Sequence, residues 1–557
     1  MSILHEILHT NKRRVGNALR KFSKLTPQKI MDSRSLMADR DASEHLLHLE
    51  SCESEAHFEG RVLVDATFDN PGYWFRYCLV RKALGLAKAN EVGVLGPYNA
   101  KKCKKTLLNF NIHHNVKYPD VCPATSDLRK EAQRIIRETH NASDIMSWKL
   151  PYDFPGKLIY DGIQKKQRTP VVDVRAPLFE MHVVEVLRCI EAASMLLTDD
   201  TKLVVLSHAM NYDYGPLAWI ASKRGIPVIV LSGFYGTPRF WKINVPEDIY
   251  KIASRPKLDE FKAFPLAIRT KLAQVFREYL DDRMNGQATD VGAWYAYNSK
   301  HDRLTRPEIA KGFGWDSSKP IVVVYAPHWF DGPHLHGMKN FRDFLDWLEC
   351  ILGVAKGVTD VNWLLKNHPC EDFYGGIKLH ELAASVKSPH IRLVDRNWNN
   401  AAVMSAADAI VTYHGTIGIE ATAIGKPVLV ADVGWYDDLG FVKAATSRED
   451  FLNLLGKAWW KDLATKPNAE NAQVFGGLYF TIPEDQSSMV LPDDANQQKI
   501  YTFMKGHIGK IHEDFEREAK CIRDWWSDSS QHYHVYRMLK AKGFFSPTDL
   551  PKIKLDS

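Results

Sequence analysis

The feature that most constrains this chain is an alternation that occurs in two series. Short apolar, β-branched runs are followed by amphipathic stretches long enough to carry the chain back across a sheet. In the first series, residues 61–66, 91–95, 202–206 and 226–231 read as strands, and residues 73–87, 179–197 and 214–223 as helices. In the second, residues 321–325, 361–365, 391–394, 409–413 and 427–430 read as strands. Parallel strands need a crossover of a dozen or more residues and are buried on both faces, so they appear as near-continuous apolar runs. A chain of 557 residues is also too long for one core. The expectation is an α/β protein with two Rossmann-like domains, over residues 56–285 and 306–475. Residues 283–305 lack a strong period and read as the linker. From about residue 497 the pattern turns helical again and ends in Trp525, Trp526, Tyr533 and Tyr536, a segment (490–557) expected to pack back on the first domain.

Charge narrows the classes of partner. The net charge is +6, from 73 basic and 67 acidic residues. Residues 1–30 hold Lys12, Arg13, Arg14, Arg20, Lys21, Lys24 and Lys29 against Glu6, which accounts for the whole excess. A dispersed basic surface for nucleic acid is therefore not supported. In the extension 1–55, Ile3, Leu4, Ile7, Leu8, Val15, Leu19, Phe22 and Leu25 recur at near-helical spacing between these charges. Such a basic amphipathic helix suits peripheral contact with an anionic membrane, each basic residue adding about 1 kcal/mol; a helix packed on the protein is the plainer reading. The eight cysteines show no zinc spacing, and no run of 18 apolar residues occurs. The expected location is the cytoplasm, at the cytoplasmic face of the inner membrane if the extension binds lipid.

The chemistry-bearing motifs fall at strand ends. Lys366-Asn367-His368-Pro369 follows one apolar run, and His414-Gly415-Thr416-Ile417-Gly418-Ile419-Glu420 follows another, before Gly425-Lys426-Pro427-Val428. Ligands of open parallel sheets bind beyond the carboxyl ends of the strands. Gly415 and Thr416 would open a helix whose free N–H groups face an anion such as a phosphate. Glu420, one turn further in, would accept the hydroxyls of a ribose, and His414 would approach the base or ribose. Pro369 fixes the turn that places the His368 imidazole just past its strand, where it would donate to a phosphate or stabilise a leaving nucleotide. Each has a plainer reading: a histidine satisfying a loop carbonyl, a solvated Lys366, glycines that only punctuate turns. Asn399 and Asn400 read as a helix cap.

At these residues the sequence resembles the capsule polysaccharide biosynthesis glycosyltransferases, a GT-B group that includes bacterial Kdo transferases. Their pattern of Lys-x-His-Pro, Gly-Thr-x-Gly-x-Glu-Ala, Gly-Lys-Pro-Val and a following Trp-Tyr pair is matched here, the last by Trp435-Tyr436. The resemblance covers about residues 320–445. It implies the GT-B arrangement, two Rossmann-like domains facing across a cleft with C-terminal helices returning to the first. It further implies a nucleotide-sugar donor, such as a CMP-linked sugar like CMP-Kdo, and a capsular or surface polysaccharide or glycolipid acceptor. The loop Ala326-Pro327-His328-Trp329-Phe330-Asp331-Gly332 resembles a family loop with a His and then an acid near the reaction centre. It departs by one residue of spacing and by Asp in place of Glu. Asp331 suits a general base or nucleophile and equally a turn aspartate bonding its own backbone.

The first domain is expected to supply the acceptor site. Ser207-His208 ends one strand and precedes Tyr212; Tyr235 and Arg239 follow the next; Asp69 lies beyond the first. His208 is a second candidate for the catalytic acid/base, and the aromatic faces and arginine suit sugars and their anionic groups. No Asp-x-Asp stands near a strand end of the second domain, so no metal is expected, and no cofactor beyond the sugar nucleotide itself. A non-hydrolysing nucleotide-sugar 2-epimerase and a non-catalytic scaffold of a capsule assembly complex are the alternatives.

Overall fold

The computed structural model describes residues 57–67, 71–96, 100–234, 237–252, 255–256, 258–288, 296–297, 300–368, 371, 378–432, 435–463, 465–480, 508–528 and 530–533. The basic extension, Asp69, Tyr235, Pro369 and Tyr536 lie outside them. Strands β1 (Arg61–Asp65), β2 (Asn90–Leu95), β3 (His114–Lys117), β4 (Thr201–Leu206), β5 (Val228–Phe234) and β6 (Thr237–Ile243) form one sheet in the order β3-β2-β1-β4-β5-β6. Strands β7 (Ile321–Tyr325), β8 (Asn362–Lys366), β9 (Ile391–Leu393), β10 (Ala409–Thr412), β11 (Val428–Val430) and β12 (Lys443–Ala444) form the other, in the order β12-β11-β10-β7-β8-β9. The two orders are the same path. Each half starts at a central strand, runs outward two places, then returns to the other side of that strand. The strand order therefore reverses between β1 and β4 and between β7 and β10, where loops diverge and leave a crevice.

Alternation along the strands explains why these runs are apolar throughout. In the first sheet Leu63, Val204, Val228 and Val230 enter one core layer, while Val62, Val64, Val205 and Ile229 enter the other. In the second, Val323, Leu364 and Ile410 face one layer and Val322, Val324, Leu365 and Val411 the opposite one. Helices cover both faces of each sheet, as a parallel sheet requires.

Three strands are not foreshadowed by apolar runs. β3 (His-Asn-Val-Lys) is a polar edge strand, and β12 has two residues. β6 contains Pro238 and Arg239 and reads as a loop in sequence, yet it pairs antiparallel with β5 from Thr237 to Ile243. The proline sits near the start of the edge strand, where a missing N–H is tolerated.

The partition of the chain also differs from the sequence expectation at one point. Helix Leu266–Met284 falls within the range assigned to the first domain, but its Ile268, Leu272, Phe276 and Leu280 enter the core of the second sheet beside Val474, Phe475 and Leu478. It lies against helix Thr465–Tyr479. Helix Ile508–Ser527 returns to the first half, where Phe515, Ala519, Ile522 and Trp525 join Val62 and Val64. Lys242 donates to the carbonyls of Trp525 at 2.8 Å and Asp528 at 2.5 Å, a cationic cap on that helix's end. Among the described residues no helix is long and apolar enough to cross a membrane.

The halves meet through helix Gly156–Gln167. Its Asp161, fully buried, accepts from the backbone N–H of His334 at 3.1 Å, from that of Leu335 at 3.2 Å and from His334 Nδ1 at 2.6 Å. From the preceding position, Tyr160 donates to Asp343 at 2.6 Å. The long loop after β7 is thus fastened to the first half, with Leu335 seated in that half's core.

Close helix packing at Gly476 and Gly477 generates a prediction. A Cβ at Gly477 would overlap the Leu272 carbonyl, and one at Gly476 the Phe276 ring. Gly477→Ala should destabilise the second half by about 1–3 kcal/mol, the cost of overpacking, and lower the thermal midpoint by roughly 2 °C or more. Scanning calorimetry that finds an unchanged midpoint would contradict the packing described.

Candidate functional site

Several of the residues singled out in the sequence stand at carboxyl ends of the central strands of the two sheets. After β7, the loop 326–331 places His328 edge-on to Phe330 at 4.4 Å and to His368 at 5.9 Å, ring centroid to centroid. His368 arrives from β8, the neighbouring strand. Together with Ala326, Trp329, Asn367 and Glu371 the two imidazoles line a small cavity. Burial is the main influence on both rings. It pushes His328 down to about 4, helped by the adjacent His368, and lowers His368 as well. Asp331, exposed at the mouth of the loop, acts in the opposite direction on both. Its backbone N–H donates to the His328 carbonyl at 3.4 Å, closing a turn.

Lys366, the last residue of β8, is buried, and burial pushes its ammonium down to about 8. That ammonium hydrogen-bonds to no described residue. Glu371 is committed to Asn367 at 3.0 Å, the Leu379 N–H at 2.7 Å and Arg396 at 2.8 Å.

The loop after β10 is braced from behind. Trp435 Nε1 donates to the His414 carbonyl at 3.0 Å, and the Tyr436 hydroxyl to the Gly415 carbonyl at 2.6 Å. With these carbonyls held by the Trp-Tyr pair, the peptides cannot flip without losing both bonds. A Cβ at Gly418 would overlap the Tyr436 hydroxyl, which is why a glycine stands there. Thr416 caps helix Ile417–Ala423 by backbone only; its side chain makes no cap bond.

His414 packs near His336 at 5.9 Å, and burial pushes it down to about 3; its Nδ1 is buried with no hydrogen-bond partner among the described residues. Glu420 is also buried, but its oxygens are engaged by Arg283 at 3.3 Å and by the Tyr297 hydroxyl. In this structure the carboxylate is thus turned to the protein's own side chains. Asn399 caps its helix through the Ala401 N–H at 2.9 Å, and Asn400 accepts from Tyr325 at 3.0 Å.

At the first switch point, Asp65 ends β1 and His208 follows β4. One Asp65 oxygen accepts from Thr67 N at 2.9 Å and Thr67 Oγ1 at 2.6 Å. The other accepts from Ser207 N at 3.0 Å and from the Ser207 hydroxyl. His208 Nδ1 lies 3.0 Å from Ser207 Oγ. Burial lowers the His208 pKa and Lys165 acts the same way, while Asp65 opposes them. Lys165, on helix Gly156–Gln167, also disfavours protonation of His328, so one ammonium lies near an imidazole of each half.

Two other candidates stand away from these edges. Tyr212 is buried, with Gly162 close against its ring. Arg239 is buried, donates to the Tyr479 carbonyl and lies 5.1 Å from that ring's centroid, linking β6 to the second half. Sequence reasoning had no signal for Lys165, nor for Asp161, Arg283 and Tyr297, whose partners His334 and Glu420 lie more than a hundred residues away.

The depressed histidines set a pH dependence. His328 near 4, His414 near 3 and His532 near 4 remain neutral when folded, whereas unfolded histidines titrate near 6.5. Between about pH 6.5 and 4 the unfolded state therefore binds more protons, and stability falls as pH falls. Lowering the pH from 7 to 5 should cost on the order of 1 kcal/mol per histidine. Denaturant titrations at the two pH values should show this loss, and His414→Gln should shrink it; an undiminished slope in that variant would refute the assignment.

No protein-family model matches the chain, and no curated protein sequence matches it. Solved structures similar to it include KpsC of Thermosulfurimonas dismutans, described as a beta Kdo 2,4 transferase, at 11% identity over 50% of this chain and 88% of that one, with a TM-score of 0.28. A UDP-GlcNAc 2-epimerase from Neisseria meningitidis bound to UDP-GlcNAc is similar at 13% identity over 80% and 100%, TM-score 0.24. The spinosyn rhamnosyltransferase SpnG is similar at 10% identity over 76% and 95%, TM-score 0.22. At these scores the likenesses speak to neither activity nor substrate.

Proposed function

We propose that this chain is a glycosyltransferase that moves a sugar from a nucleotide-sugar, such as a CMP-linked sugar, to a polysaccharide or glycolipid acceptor. The observation that carries the reading is the meeting of His328, His368 and Asp331 at the β7/β8 edge beside the desolvated Lys366. Transfer of a glycosyl unit expels a nucleotide phosphate, and such a leaving group needs donors held in a water-poor site. A buried ammonium with no described acceptor, the buried imidazole of His328 and the half-buried one of His368 supply that environment. The braced loop 414–416 adds backbone N–H groups at the adjacent strand end. The motif resemblance over residues 320–445 favours transfer and a cytidine nucleotide. The acceptor belongs at the β1/β4 edge, where the Lys165 ammonium acts on His208 as it does on His328. His208 and Asp331 are the acid/base groups available to the acceptor hydroxyl. Donor phosphate is neutralised here by side chains and backbone, so the reaction is proposed to need no divalent metal.

His368→Ala should weaken CMP binding by about 1.5–3 kcal/mol, the scale of a charge-assisted hydrogen bond, in calorimetric titration. Preference for UDP would remove only the cytidine part of the reading. Product analysis from one nucleotide sugar decides the reaction: sugar on an acceptor is expected, an epimer formed without acceptor would replace transfer by isomerisation, and absence of both turnover and nucleotide binding would leave a scaffold. Activity abolished by EDTA and restored by magnesium or manganese would contradict the metal-independent step.

A further inference from the structure

We infer that His208 is the general base of the reaction and that Ser207 and Asp65 are positioning residues that fix its tautomer through a hydrogen-bonded relay. This rests on the glycosyl-transfer reading. The argument is a count of protons. The Ser207 hydroxyl carries one hydrogen, and it goes to the Asp65 carboxylate, which has none to give. The second contact of that oxygen, with His208 Nδ1 at 3.0 Å, can then only be one it accepts. A neutral His208 therefore carries its proton on Nδ1 and presents an unprotonated Nε2.

The relay is firmly built. Asp65 is buried, and its two oxygens receive four hydrogen bonds, two from Thr67 and two from Ser207. It has no freedom to rotate toward another donor without stranding one of these pairs. Tyr214 flanks the imidazole at 5.9 Å between ring centroids and donates to Thr67 at 3.3 Å, closing the group from the other side. Asp331 has no such support among the described residues: it is exposed, and its backbone closes a turn.

In the step itself, Nε2 takes the proton of an acceptor hydroxyl as that oxygen bonds to the anomeric carbon. The bond from that carbon to the phosphate oxygen breaks, and the nucleotide leaves with its electron pair. The proton gained makes an imidazolium whose Nδ1–H still points through Ser207 to the Asp65 charge.

The test uses the full chain labelled with ¹⁵N-histidine, with His208→Gln to identify the resonance. Imidazole nitrogen shifts should show the Nδ1–H tautomer in the unaltered protein and loss of that preference in Ser207→Ala, which keeps the Ser207 backbone bond to Asp65. With CMP-sugar and acceptor, Ser207→Ala should lower kcat at least about 10-fold with little change in KM, and His208→Ala about 100-fold or more. An Nε2–H tautomer in the unaltered protein, an unchanged kcat in Ser207→Ala, or a deeper loss in Asp331→Asn than in His208→Ala would each overturn the assignment. An unaltered protein that holds the Nδ1–H tautomer but transfers no sugar would instead overturn the glycosyl-transfer reading on which the base depends.

Discussion

The buried carboxylate of Asp161 is the interaction on which the arrangement of the two halves depends. An ionised carboxylate removed from water must find donors nearby, and here all three come from the loop after β7 in the opposite half. Losing them would strand a charge in the interface, so the loop cannot lift away at small cost. Asp432 holds the far end of the same loop through the N–H groups of Lys339 and Asn340 and also accepts from Tyr413 at 2.7 Å. The segment carrying His328 and Asp331 is thereby strung between the end of β7 and the Asp161 anchor, with the Asp432 anchor following at residues 339–340. Its position follows from charge compensation more than from the loop's own sequence.

Much of the fold is legible in the sequence because parallel strands are apolar on both faces. The central strands of both sheets announce themselves as Val/Ile/Leu runs. β3, β6 and β12 do not, because an edge strand needs only a neighbour with unpaired backbone groups, a condition met in three dimensions. The site is legible in a similarly uneven way. His368, His328 and His208 are found because a strand end limits where a side chain can go. The carboxylate partners are not: Asp161 and His334 are 173 residues apart, and Asp65 and Ser207 142 apart. Arg283 and Tyr297 lie in a stretch that reads as linker, where no period hints that they reach Glu420.

A single physical effect tunes the second half's edge. His328, His368, His414 and Lys366 all prefer the uncharged form more than they would in water, and burial is the largest cause each time. The cavity lined by His328 and His368 is held below its capacity for positive charge. An anion placed in it favours the protonated form of each group, so occupancy by phosphate and uptake of protons become linked events.

The return of helix Ile508–Ser527 has a mechanical consequence. The chain passes from the first half to the second after β6 and comes back after helix Thr465–Tyr479, so the halves are joined covalently twice. Each passage is accompanied by an arginine that reaches across, Arg255 to Asp438 and Arg239 to the Tyr479 carbonyl. Two bodies tied at two places lose the twisting freedom that a single tether would leave, and the contacts of Asp161 and Tyr160 with residues beyond β7 tie them at a third. Separating the halves would therefore mean giving up the Asp161 contacts as well as bending both covalent passages.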